Sequence, residues 1–111
     1  MADEGRLPTG LWVDAVLTPL NARGIFYYIT QKGNHASGLV MLKLNGLRGR
    51  VRLLAQQRDF MSNKLEWVSA LDQEEVAEAD ADSYINRAIQ SDPDLWVIEI
   101  EDPEMQNPFE T

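Results

Sequence analysis

Apolar residues recur along this chain at two kinds of spacing. Between residues 10 and 22, Trp12, Ala15, Val16 and Leu20 return at helical intervals, with Leu11 and Leu17 at the margins and Asp14 and Asn21 pointing away. The spacing predicts a helix over 10–22, with Thr9 as N-cap and Gly24 as its stop. Pro19 removes an amide and crowds the carbonyl of Ala15, so the helix is expected to bend there or end early. A second helical stripe, Ala77, Ala81, Tyr84, Ile85, Ala88 and Ile89, predicts a helix over about 77–90. Glu78, Asp80 and Asp82 sit near its N-terminus, where the helix field favours negative charge, and Asp92–Pro93 stops it.

Strand-like segments lie between and after the helices: Ile25–Gln31, Gly38–Leu44, Gly49–Gln57, Lys64–Leu71 and Leu95–Glu101. The links KGNHAS, NGLRG and DFMSN are short and rich in turn formers, so the first four strands form an antiparallel meander. Asn45–Gly46 offers left-handed turn geometry. Leu53–Leu54 breaks the alternation, which calls for a bulge or burial of both faces. The last strand follows a helical crossover and can pair in parallel with an earlier one. The expected fold is therefore α+β, two-layer, a five-stranded mostly antiparallel sheet with two helices packed on one face. The other face must then be polar, covered by the tail or buried in a partner, and Leu95 and Val97, which point there, favour a covering. Residues 1–9 are expected to be a flexible arm, 10–101 a single α+β domain, and 102–111 an acidic tail in which Phe109 is the one anchor.

Composition adds limits. With 111 residues and 44% apolar content the chain is one domain's worth and can bury a core without staples. It has no Cys, hence no disulfide, thiolate nucleophile or thiolate metal site. The opening MADEGRLPTG carries acids and no apolar run, so it does not read as an export signal, and the expected location is the cytoplasm. No apolar run approaches the roughly 17–25 residues that cross a bilayer.

The net charge of −8 is unevenly spread. Residues 1–71 hold nine Lys/Arg against five Asp/Glu, a balance of +4; residues 72–111 hold one Arg against thirteen acids, a balance of −12. Long-range repulsion opposes binding of a polyanion to the whole protein. The simplest reading folds the acidic part over the basic sheet.

Several phrases together, GLWVDA, NARGI, LVMLKLNGLRG, LLAQQRD, the Trp67 strand, EADADSYI and DPDLWVIEIED, resemble a small family of bacterial proteins of unknown function, DUF1491, found mainly in alphaproteobacteria. The likeness runs over about residues 5–103, and the Asp92–Asp102 segment is its most specific part. It implies a compact single domain from a bacterium and no reaction.

Candidate chemistry is sparse. His35, the sole histidine, lies in a turn without a local nucleophile or orienting acid. The acidic stretch from Asp72 does not have the spacing of a calcium loop, and no metal set and no cofactor are expected. The basic residues form the more informative pattern. Arg50 and Arg52 leave one strand face, Gln56 and Arg58 continue that parity if no bulge intervenes, and Lys43 or Lys64 can lie alongside on adjacent strands. Such a face can take an anion or pair with Glu99, Glu101 and Glu66. Lys43, Arg50, Arg52, Gln56, Arg58, Trp67, Glu99 and Glu101 are therefore the candidate binding surface, and no catalytic residue is assigned.

The favoured function is a small cytoplasmic binding or accessory protein acting by protein–protein contact, with an unidentified protein or a second copy as partner. Nucleic-acid or anionic-ligand binding through the Arg-lined face is the alternative. An enzyme using carboxylates with Arg58 or His35 is the third reading and the weaker one. No membrane partner is expected.

Overall fold

The computed structural model describes residues 7–110; most of the arm expected over 1–9 thus lies outside the described residues. The elements are α1 (Thr9–Ala22), β1 (Phe26–Gln31), β2 (Val40–Asn45), β3 (Arg50–Asp59), β4 (Lys64–Ser69), β5 (Val76–Ala77), α2 (Glu78–Ser91) and β6 (Trp96–Glu101). The sheet order is β1-β6-β2-β3-β4, with the two-residue β5 paired to β3. All pairings are antiparallel except β2 with β6, which the α2 crossover makes parallel.

The α+β class and the mostly antiparallel sheet are as expected, with six strands where five were predicted. The placing of both helices on one face is overturned. Val40, Leu42 and Leu44 of β2 bury against Val13, Leu17 and Leu20 of α1, together with Trp96, Ile98 and Ile100 of β6. The intervening Met41, with Leu53, Leu95 and Val97, buries instead against Ala81 and Ile85 of α2. The helices therefore lie on opposite faces of the sheet, in three layers. The reason is strand order. β6 inserts between β1 and β2, which breaks the expected four-strand meander, and both central strands carry apolar residues on both faces, so each face needs its own helix. The buried apolar residues form two cores, one under each helix.

Local details follow from the same packing. The buried line of α1 is Val13, Leu17 and Leu20, with Trp12 and Val16 half-buried and Ala15 exposed, so the stripe is rotated by about one position from the predicted one. Pro8 rather than Thr9 occupies the N-cap, and no side chain caps the helix. Pro19 does not end it. Pro19 lies on the exposed side, where the freed carbonyl of Ala15 can meet water. Gly24 does make the stop, at φ 72°. Strand β3 runs without a register break through Leu53–Leu54, because both residues are buried, one in each core. The bulge falls in β1 instead, between Ile29 and Gln31. In the β2–β3 turn the left-handed residues are Leu47 and Gly49, not Asn45–Gly46; Asn45 Oδ1 accepts from the Leu47 amide at 2.8 Å.

Candidate functional site

On the α1 face, β3 presents Leu54, Gln56 and Arg58, and β4 sets Trp67 opposite Gln56 and Leu65 opposite Arg58. Helix α1 covers the β1–β6–β2 side of this face and leaves the β3–β4 side open. The result is a groove of about 760 Å³ between the start of α1 and the β3–β4 hairpin, walled by Trp12, Trp67, Phe109, Leu39 and Leu65. Phe109, from the last residues of the chain, sets its ring edge-on to Trp12 at 4.8 Å and tilted against Trp67 at 5.8 Å. Phe109 is buried, so the C-terminal segment forms one wall of the groove.

The polar contributors are few and specific. Gln56 is buried, and its Oε1 accepts from the amide of Val40 at 2.9 Å, one step past the end of the β2–β3 ladder. Arg58 donates to the carbonyl of Asn63 at 2.7 Å, across the mouth of the hairpin turn. That turn is held by the Asp59 carboxylate, which accepts from the Ser62 hydroxyl at 2.8 Å; this bond holds the Asp59 carboxyl below its ordinary pKa. The charged residues lining the groove are Arg58 and Lys64, and neither has an ion-pair partner among the described residues. A smaller hollow of about 450 Å³, under Pro19 and Arg23, carries mixed charge, with Asp102 and Glu110 in its wall.

The remaining candidates from the sequence separate. Lys43 stands opposite Leu53, on the α2 face, and does not join the Arg face. Its ammonium lies 2.7 Å from Glu78, 2.8 Å from Asp82 and 3.6 Å from Glu99. Burial pulls the Lys43 pKa down, but the hydrogen bonds to Asp82 and Glu78 and the charge of Glu99 outweigh it, and the net shift is upward. Glu99 also accepts from Asn45 at 2.9 Å. Glu101 is half-buried beside Phe26 of β1. Arg50 and Arg52 share the α1-face parity but turn to Glu75 (3.6 Å) and Glu74 (3.8 Å), not to Glu99 or Glu101. Arg52 additionally donates to the carbonyl of Met105 at 2.9 Å, which ties the C-terminal segment to the sheet. The acids after residue 71 therefore do fold back on basic residues of the sheet. Of the eight candidates, the structure brings Gln56, Arg58 and Trp67 together in the groove.

His35 is exposed in the loop before β2, and its ring stacks near Gly10. Its carbonyl and that of Ala36 accept from Gly10 and Thr9, so this loop secures the first turn of α1. Among the described residues no three His, Cys, Asp or Glu converge as metal ligands. Trp12 and Phe109 are the groove residues that strand parity did not point to. Trp12's place among the half-buried rings and Phe109's isolation in a polar tail were the available signals.

The model of the family described as protein of unknown function, DUF1491, matches residues 7–110. A crystal structure of a DUF1491 family protein from Caulobacter crescentus is similar at a TM-score of 0.81 and 31% identity, covering 96% of each chain. An NMR structure of a DUF1491 family protein from the same organism gives 0.78 and 30%, covering 92% of this chain and 91% of that one. A solution structure of a protein from A. tumefaciens gives 0.68 and 26%, covering 87% and 86%. A search of curated proteins finds no match.

Proposed function

The chain belongs to the DUF1491 family of proteins of unknown function, and from that premise we propose that it is a small cytoplasmic binding protein that takes a segment of a partner polypeptide into the groove over β3 and β4. One observation carries the proposal: in a chain of net charge −8, a hollow of about 760 Å³ is walled by aromatic rings and, among the described residues, is lined by cationic charges alone, Arg58 and Lys64. Interface centres are enriched in Trp, Tyr, Phe and Arg for the same reason, since large rings bury area at low entropic cost and guanidinium groups pair with carboxylates. A segment with an apolar anchor flanked by acids fits these walls. A polypeptide is favoured over a small molecule because apolar surface continues past the groove. Leu7 at its edge is half-exposed, and Phe60 and Met61 at the hairpin tip are 89% and 81% exposed.

Nucleic-acid binding through the Arg face has less support, because Arg50 and Arg52 are engaged by Glu75 and Glu74. An enzymatic reading has less support too, because neither His35 nor any acid lines the groove among the described residues.

The test is recovery of the tagged chain from cells of its source bacterium, compared with Trp67→Ala, Arg58→Glu and, on the far acidic loop, Asp72→Lys. A partner that co-purifies with the parent and with Asp72→Lys, and is lost at least tenfold from both groove variants, supports the proposal. Partners retained by both groove variants, or recovery only of nucleic acid, contradict it.

A further inference from the structure

Strand β1 is one edge of the sheet, and its six residues, FYYITQ, carry no charge; the opposite edge strand, β4, holds Lys64 and Glu66. Charges on an edge discourage pairing with another chain, so β1 is the edge without that protection. The bulge at Thr30 confines the regular stretch to Phe26–Ile29. Within it, Phe26 stands beside Glu101 and Tyr28 beside Glu99, so both rings leave the sheet on the α2 side. Helix α2 packs over β3 and β5, and Phe26 and Tyr28 are left 66% and 51% exposed.

We propose that β1 pairs antiparallel with β1 of a second copy of this chain, about a twofold axis at Tyr27, to make a sheet continuous through both copies. A twofold axis normal to the sheet keeps like faces together, so residues that oppose one another share a face. With Tyr27 on the axis, Phe26 of each copy stands against Tyr28 of the other. Two aromatic cross-strand pairs form, on a face that is open at this edge. The segment is thus complementary to itself, which is what selects a second copy over an unrelated strand. Two chains of net charge −8 repel at a distance, and an uncharged edge is where they meet without adding like charges at the contact. This surface lies on the far side of the sheet from the groove and at its other edge, so the two proposals stand or fall separately.

Size-exclusion chromatography with light scattering on the full chain tests it, beside the double variant Phe26→Lys, Tyr28→Lys. Both side chains are largely exposed, so the variant keeps its fold, checked by circular dichroism. The expected result is twice the monomer mass for the parent at high micromolar concentration, and a monomer for the double variant. Amide exchange over Phe26–Ile29 in the parent slows as concentration rises. A parent that stays monomeric at several hundred micromolar, or a dimer that persists in the double variant, overturns the proposal.

Discussion

Lys43 Nζ on β2 lies 2.7 Å from Glu78 Oε2 in the first turn of α2, and the lysine side chain is only 8% exposed. With Asp82 one turn on, the contact fastens the start of α2 to the centre of the sheet. Loss of the lysine removes two charge-assisted hydrogen bonds, but Glu78 and Asp82 are half-exposed and can turn to water. Lys43→Ala is therefore expected to cost about 2 kcal/mol, below the range for a wholly buried pair. Lys43→Met, which keeps the packing of the stem, costs less. Urea unfolding of the three proteins checks the order.

The same contact predicts an alkaline signature. The folded pKa of Lys43 is raised above 10.5, so its contribution is fully present below that value and is lost as pH rises through the higher, folded one. The stability gap between the parent and Lys43→Met is expected to be constant from neutrality to near 10.5 and to narrow above it. Urea midpoints of both proteins across that range measure it.

Phe109 contacts both Trp12 and Trp67 from a segment with no helix or strand of its own. Phe109→Ala is expected to destabilise by about 2–4 kcal/mol, the lower side of the range for a core phenylalanine because the site opens on the groove. Tryptophan emission shifts to longer wavelength in the same variant, as Trp12 and Trp67 gain water while Trp96 stays buried. Thermal unfolding and fluorescence report the two effects.

Two glycines pack closely and are expected to respond oppositely. A Cβ on Gly33 would collide with the backbone carbonyl of Asp94, which is fixed by the Asn34 amide at 2.9 Å. Gly33→Ala therefore forces the backbone apart and costs more than about 2 kcal/mol, in the range of overpacked cores. A Cβ on Gly10 meets only the exposed His35 ring, which can swing away. Gly10→Ala also gains helix propensity in α1, so it is expected to be neutral or stabilising by up to about 1 kcal/mol. Melting temperatures of the two variants separate the cases.

Spacing alone located both helices and the five main strands to within a few residues, and the reason is visible in β6. Trp96, Ile98 and Ile100 alternate with Leu95 and Val97, so a strand apolar on both faces is legible as such. Which face each helix takes was not legible, because it depends on β6 entering between β1 and β2, a long-range choice that no local pattern encodes. The Arg50–Arg52–Gln56–Arg58 parity was correct because β3 has no bulge. Lys43 was misplaced beside those residues because face assignment across a turn depends on register, and the Asn45↔Val51 pairing puts Lys43 opposite Leu53. The two-residue β5 has too little sequence to carry a period. The groove was half legible: its strand residues follow from alternation, whereas Trp12 and Phe109 reach it only through tertiary packing.

This acidic chain carries a locally cationic aromatic groove, and collisional quenching of tryptophan measures that directly. Trp96 is 2% exposed and silent, so quenchable emission reports Trp12 and Trp67. Iodide is expected to quench this emission more strongly than caesium at equal low ionic strength, against the sign of the net charge, and Arg58→Glu is expected to reverse the ratio. Stronger quenching by caesium in the parent, or a ratio that Arg58→Glu leaves unmoved, would contradict the account.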